Sequence, residues 1–238
     1  MSTQTIDQKV KEIKQNFRQM MDGATAQSMR EKGLDYHMNW GGTIPRLRDM
    51  ADEIANSLQC EVGSDDAQPN YSPSTLNYEL SIALWKEDIR ECKILATMLM
   101  PPEEMLSEVA DIWMEQTPTL EIAEQAAFNL YQHLPYAADK AFQWLASPDE
   151  LPQICGYHIL SRLFMEGQEP NERGINEFLD QATTALEITK EQAHLQTPTY
   201  ALALRKAAMQ AIIHFAELSI MHHRLALAAI RHTGLSFL

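Results

Sequence analysis

From Ser74 onward the chain is a succession of apolar segments, each broken by Pro, Gly, Asn or Asp, in which the apolar residues recur at steps of three and four. Alternation of apolar and polar residues is almost absent. This pattern constrains the fold more than any other feature, because three-and-four spacing lines one face of an α-helix whereas a half-buried strand needs a period of two. Helices are predicted over 76–85 and 89–100, the second ending at Pro101-Pro102, and over 105–113 and 120–131 with Pro118 between them. Further helices are predicted over 137–145, 151–164, 175–186 and 200–215, with Ser147-Pro148-Asp149 and the stretch from Gly167 to Pro170 as breaks.

The starts near Ser74, Glu103, Ala137 and Asn171 are spaced by roughly 30 to 35 residues, the period of helical repeats that bury their apolar faces only by stacking on neighbours. The expected fold is therefore all-α, a curved solenoid of stacked antiparallel HEAT-like helix pairs; a compact helical bundle has similar periodicity and stays open as the alternative. Before Ser74, Ile6, Val10, Ile13, Phe17 and Met20 mark an opening helix with Gly23 as its stop. Leu47, Met50, Ile54 and Leu58 mark another, begun at Ile44-Pro45. The turn-rich stretch from Cys60 to Pro73 is expected to be an exposed loop. The organisation read from this is an N-terminal helical cap and loop over 1–73, then a repeat region over 74–238 whose last apolar stretch, from Ile220 to Leu238, caps it.

Composition narrows the classes of partner. The net charge is −14, and residues 1–73 hold only 8 of the 19 basic and 11 of the 33 acidic residues, so the acid excess falls in the repeat region. Phosphate neutralisation needs clustered Lys and Arg, so strong non-specific DNA binding is not expected. Cys60, Cys92 and Cys155 lie far apart without C-x-x-C spacing and read as buried thiols. The opening residues are polar rather than basic-then-apolar, and no stretch approaches the roughly 18 apolar residues of a membrane span. No membrane association and a cytoplasmic location are the expectations.

Motifs for nucleotide hydrolysis, dinucleotide binding, zinc proteolysis and Ser-based hydrolysis are absent. His214, Glu217, His222 and His223 form a His-x-x-Glu and His-His constellation, but adjacent histidines project about 100° apart on a helix, and a polar surface or interhelical hydrogen bond is the preferred reading. No metal or cofactor is expected. Trp85, Trp113 and Trp144 recur on successive helices and read as core rather than as a binding surface.

Several stretches, in order, resemble the AlkD-type DNA alkylation-repair glycosylases, a family of HEAT-like repeats. They are Gly42-Thr43-Ile44-Pro45-Arg46-Leu47-Arg48, then Leu84-Trp85 followed by Glu91, Leu95 and Ala96, then Arg205-Lys206-Ala207. The resemblance implies hydrolysis of the N-glycosidic bond to a cationic methylated purine. That chemistry uses a carboxylate beside the developing positive charge and aromatic faces for the base. In Leu120-Glu121-Ile122-Ala123-Glu124 the family's aspartate corresponds to Glu124 and one of its tryptophans to Leu120; Gln210 stands where the second tryptophan falls, and Gln153-Ile154 where a basic pair falls. Glu124 is thus the candidate catalytic residue, and Arg205 and Lys206 the candidate contacts to nucleic acid or another anion. The departures favour a non-catalytic HEAT-repeat scaffold binding a protein, peptide or nucleic acid on its concave face. The alternative is a divergent glycosylase acting through Glu124.

Overall fold

A computed structural model describes residues 3–62, 72–187 and 200–231. Among these residues there are twelve α-helices, two short 3-10 turns and no strand. Contacts gather them into two units, Met1–Leu130 and Tyr131–Leu238.

In the first unit, α1 (Thr3–Gln19) buries Ile6, Val10, Ile13 and Phe17, four of the five residues the spacing singles out, while Met20 falls just beyond its end and is half-buried. Gly23 does not end a helix and wait for the next; it opens α2 (Gly23–Glu31), which the sequence reading misses. Asp22 caps α2, its Oδ1 accepting from the amides of Ala24 and Thr25 at 3.0 and 3.2 Å. The omission has a physical reason: α2 buries no residue, so no apolar stripe announces it. Helix α3 (Ile44–Val62) runs through Cys60, correcting the expected start of the loop there, while 63–71 lies outside the described residues. Helix α4 (Pro73–Trp85) begins with Ser72 as cap and Pro73 in its first turn, where a missing N–H costs nothing. Its connection to α5 (Arg90–Leu99) is only four residues long, and the two pack together as a hairpin. Helix α5 sits at the centre, packed against α3, α4 and α7 (Leu120–Asn129), with every residue from Arg90 to Thr97 buried. Helix α6 (Ser107–Glu115) lies between them in sequence.

Hydrogen bonds show the stacking directly. Trp85 Nε1 donates to Gln116 Oε1 at 2.9 Å, Arg90 Nη2 to Glu121 Oε1 at 2.6 Å, and Asn129 Nδ2 to Thr97 Oγ1 at 3.0 Å. Their separations are 31, 31 and 32 residues, the repeat period read from the sequence. Corresponding positions of consecutive repeats are side by side, as stacking requires. The indole rings of Trp85 and Trp113 stack at 4.2 Å with 2° between planes, and both side chains are buried.

The second unit is built on α8 (Ala137–Leu145), α9 (Glu150–Met165), α10 (Glu172–Leu186), α11 (Ala201–Glu217) and α12 (Ile220–Ile230). Helix α9 packs on both α8 and α11, and α10 packs on α11 and α12. Its core gathers Phe164, Phe178 and Phe215, whose ring centroids are 5.1 to 5.5 Å apart. Trp144 is buried edge-on to Tyr131 at 4.9 Å. All three tryptophans of the sequence reading are thus core. Cys92 and Cys155 are buried free thiols, and burial pushes both well above the ordinary thiol range; the side chain of Cys60 lies outside the described residues.

Candidate functional site

Helix α7 carries the candidate carboxylate. Thr119 caps it, its Oγ1 accepting from the Ile122 amide, and Ile122, Ala123, Ala126 and Ala127 face the core. Glu124 is half-buried on this helix, with Leu120 one turn before it. Leu120 is aliphatic and offers no π-face to a cationic base. The residue the sequence reading passed over is Glu121. Both of its oxygens accept from Arg90, at 2.8 Å from Nε and 2.6 Å from Nη2, and Tyr36 Oη donates to Oε2 at 2.6 Å.

Arg90 is 1% exposed and neutralised from two sides. Its Nη1 donates to the Gly42 carbonyl at 2.7 Å and to Glu91 Oε1 at 3.2 Å. Glu91, wholly buried, also accepts from the amides of Trp40 and Gly42. Burial works to raise the Glu121 carboxyl, but the bidentate guanidinium and the tyrosine hydroxyl outweigh it and hold that carboxyl below its usual range. For Tyr36 burial and the facing Glu121 act together and push its hydroxyl up, so it stays a donor. A Cβ on Gly42 would lie 3.1 Å from Glu91 Cγ, so a side chain here would press on the buried Glu91. Two of the stretches that carry the family resemblance, around Gly42 and around Glu91, therefore meet in one buried network that latches residues 36–42 onto α5 and α7. Its polar atoms are hydrogen-bonded to one another, and the arrangement holds the backbone around Gly42 in place. The only linear signal for Arg90 and Glu121 was their separation by one repeat.

In the second unit, Arg205 and Lys206 lie on the outer side of α11 beside an open cavity of about 530 Å³, also lined by Leu202, Met209, Gln210 and Ile213. Gln210 is exposed there and supplies an amide rather than an aromatic face. On α9, Ile154 is buried in the core and Gln153 Nε2 donates to the Ser147 carbonyl at 2.6 Å, so neither presents charge. The histidines do not converge: His214 Nδ1 lies 2.7 Å from Ser161 Oγ, His222 Nδ1 lies 2.8 Å from Ser219 Oγ with its ring against Phe215, and His223 is exposed. Among the described residues no three His, Cys, Asp or Glu side chains are grouped to hold a metal ion. No helix among them is long and apolar enough to cross a membrane.

The protein defined by these observations is all-α, with the HEAT-like repeat fold. It is similar to a solved structure described as "A new family of proteins related to the HEAT-like repeat DNA glycosylases with affinity for branched DNA structures"; the match has a TM-score of 0.70 and 16% sequence identity, and covers 94% of this chain and 83% of that one. No family model matches the sequence, and no curated protein matches it.

Proposed function

We infer that this chain is a non-catalytic HEAT-like repeat protein that binds a macromolecular partner. What supports the reading is the identity of the side chains at the positions that the resemblance matches to those the glycosylases use. By the resemblance Leu120 and Gln210 stand where aromatic faces fall, and Gln153 and the buried Ile154 where cations fall, so of the groups that stabilise an oxocarbenium-like centre only the Glu124 carboxylate has a counterpart. A lone carboxylate does not hold a duplex or select a cationic purine. Arg205 and Lys206, beside the α11 cavity, are the contacts we assign to an anionic partner.

The test is release of 7-methylguanine and 3-methyladenine from alkylated DNA by the purified full chain, run beside Glu124→Gln. Little or no release by either protein is expected. Robust release abolished by Glu124→Gln would replace the binding reading with a divergent glycosylase. A second reading, affinity for branched DNA, is favoured by the affinity described for the family of the structural neighbour. It is tested by comparing a four-way junction with a linear duplex of equal length in fluorescence anisotropy.

A further inference from the structure

Helix α11 has two faces that do different things. Leu204, Ala207, Ala208, Ala211, Ile212 and Phe215 are buried against the core of the second unit. On the other side Leu202, Lys206, Met209 and Ile213 follow one another at steps of four, three and four, which places them in one stripe. Leu202 is 54% and Ile213 39% exposed, and both line the cavity. The stripe spans three turns, about 16 Å of helix. Among the described residues the lining holds two strong cations, Arg205 and Lys206, together with His214, and no carboxylate, although the chain as a whole is at −14.

We propose that this face of α11 is a docking groove for an acidic amphipathic helix of a partner protein. An apolar floor of Leu202, Met209 and Ile213 matches a partner helix that presents apolar residues at i, i+3 or i+4, and i+7 over the same three turns. Arg205 and Lys206 beside that floor match carboxylates at its margin and select against the basic amphipathic helices that an acidic protein otherwise attracts. Duplex DNA fits the face less well. It carries about one phosphate charge per 1.7 Å, so the stripe would face roughly ten charges with two cations, and phosphates leave the apolar floor without a counterpart. The proposal rests on the reading of the chain as a binding protein and names the chemistry of its partner.

The experiment pans the full chain against a displayed library of random 16-residue peptides, then measures a labelled synthetic copy of the most enriched peptide by fluorescence polarisation. The expected result is enrichment of peptides with at least two Asp or Glu and apolar residues at helical spacing. Binding should weaken at least tenfold in Ile213→Glu and in Lys206→Glu, both exposed positions whose variants are checked by circular dichroism and thermal melting. No enrichment, enriched peptides without acidic excess, or affinity indifferent to both substitutions overturns the proposal. So does loss of four-way-junction binding in the same variants without any peptide bound, which gives the face to DNA and leaves the non-catalytic reading intact. Light scattering that shows a dimer dissolved by Ile213→Glu overturns it in favour of a second copy. Release of methylated bases bears on the non-catalytic reading alone.

Discussion

Arg90 is the residue on which the first unit depends, because its buried charge is matched by Glu91 and Glu121 and its remaining donor by the Gly42 carbonyl. Removing one partner of such a group leaves the others buried and unpaired, so Arg90→Ala is expected to cost about 3–5 kcal/mol in urea unfolding. The pairing also sets a response to acid. Glu121 has a folded pKa below its unfolded value, so the unfolded chain binds its proton first as pH falls. The stabilisation is complete above the ordinary glutamate pKa of about 4.3 and is lost as pH drops through the lower folded value. Thermal melting from pH 6 to pH 3 should show this loss, and Glu121→Gln, less stable at pH 6, should show a shallower slope over the same range. The sequence reading drew attention to Glu124, while the contacts that anchor α7 fall on Glu121. Which of two glutamates three residues apart meets an arginine depends on the rotation of α7 against α5, and one helix's spacing does not contain that angle.

At the scale of elements, the helices with buried faces were legible and α2, which has none, was not. Caps and breaks marked their ends: Ser72-Pro73 opens α4, Asn171 Oδ1 accepts from the Gly174 amide at the start of α10, and Ser219 caps α12. Gly156 illustrates what local signals omit. It lies mid-helix in α9, where Ala normally gains about 1 kcal/mol in helix propensity. Here a Cβ would stand 2.8 Å from the Ala141 carbonyl oxygen on α8, a backbone atom that cannot swing aside. Overpacking of this kind costs about 1–3 kcal/mol, which outweighs the propensity gain. Gly156→Ala is therefore expected to lower the stability of the second unit by up to about 2 kcal/mol net, measured by the urea midpoint.

For the whole molecule, the acid excess and the two cations of the α11 face bear on any nucleic acid the protein meets. Two phosphate contacts give a slope of about −2 for log K against log salt on duplex DNA, far shallower than a protein making six to ten contacts. Anisotropy titrations from 50 to 200 mM salt should return that shallow slope and weak affinity; a steep slope would reveal a basic track the sequence does not display. The all-α class, the helix boundaries set by apolar spacing and caps, and the repeat period were determined by the sequence itself. Each depends on residues within a few turns of one another or on recurrence along the chain. The repeat period even set the separation of Arg90 and Glu121, of Trp85 and Gln116, and of Thr97 and Asn129. The tertiary structure decided which carboxylate α7 turns to Arg90, that residues around Gly42 close over Glu91, and that Leu202 and Ile213 remain outside while their neighbours on α11 are buried. Those outcomes depend on how helices rotate and approach one another in space, and apolar spacing along one helix defines a face without naming what it meets.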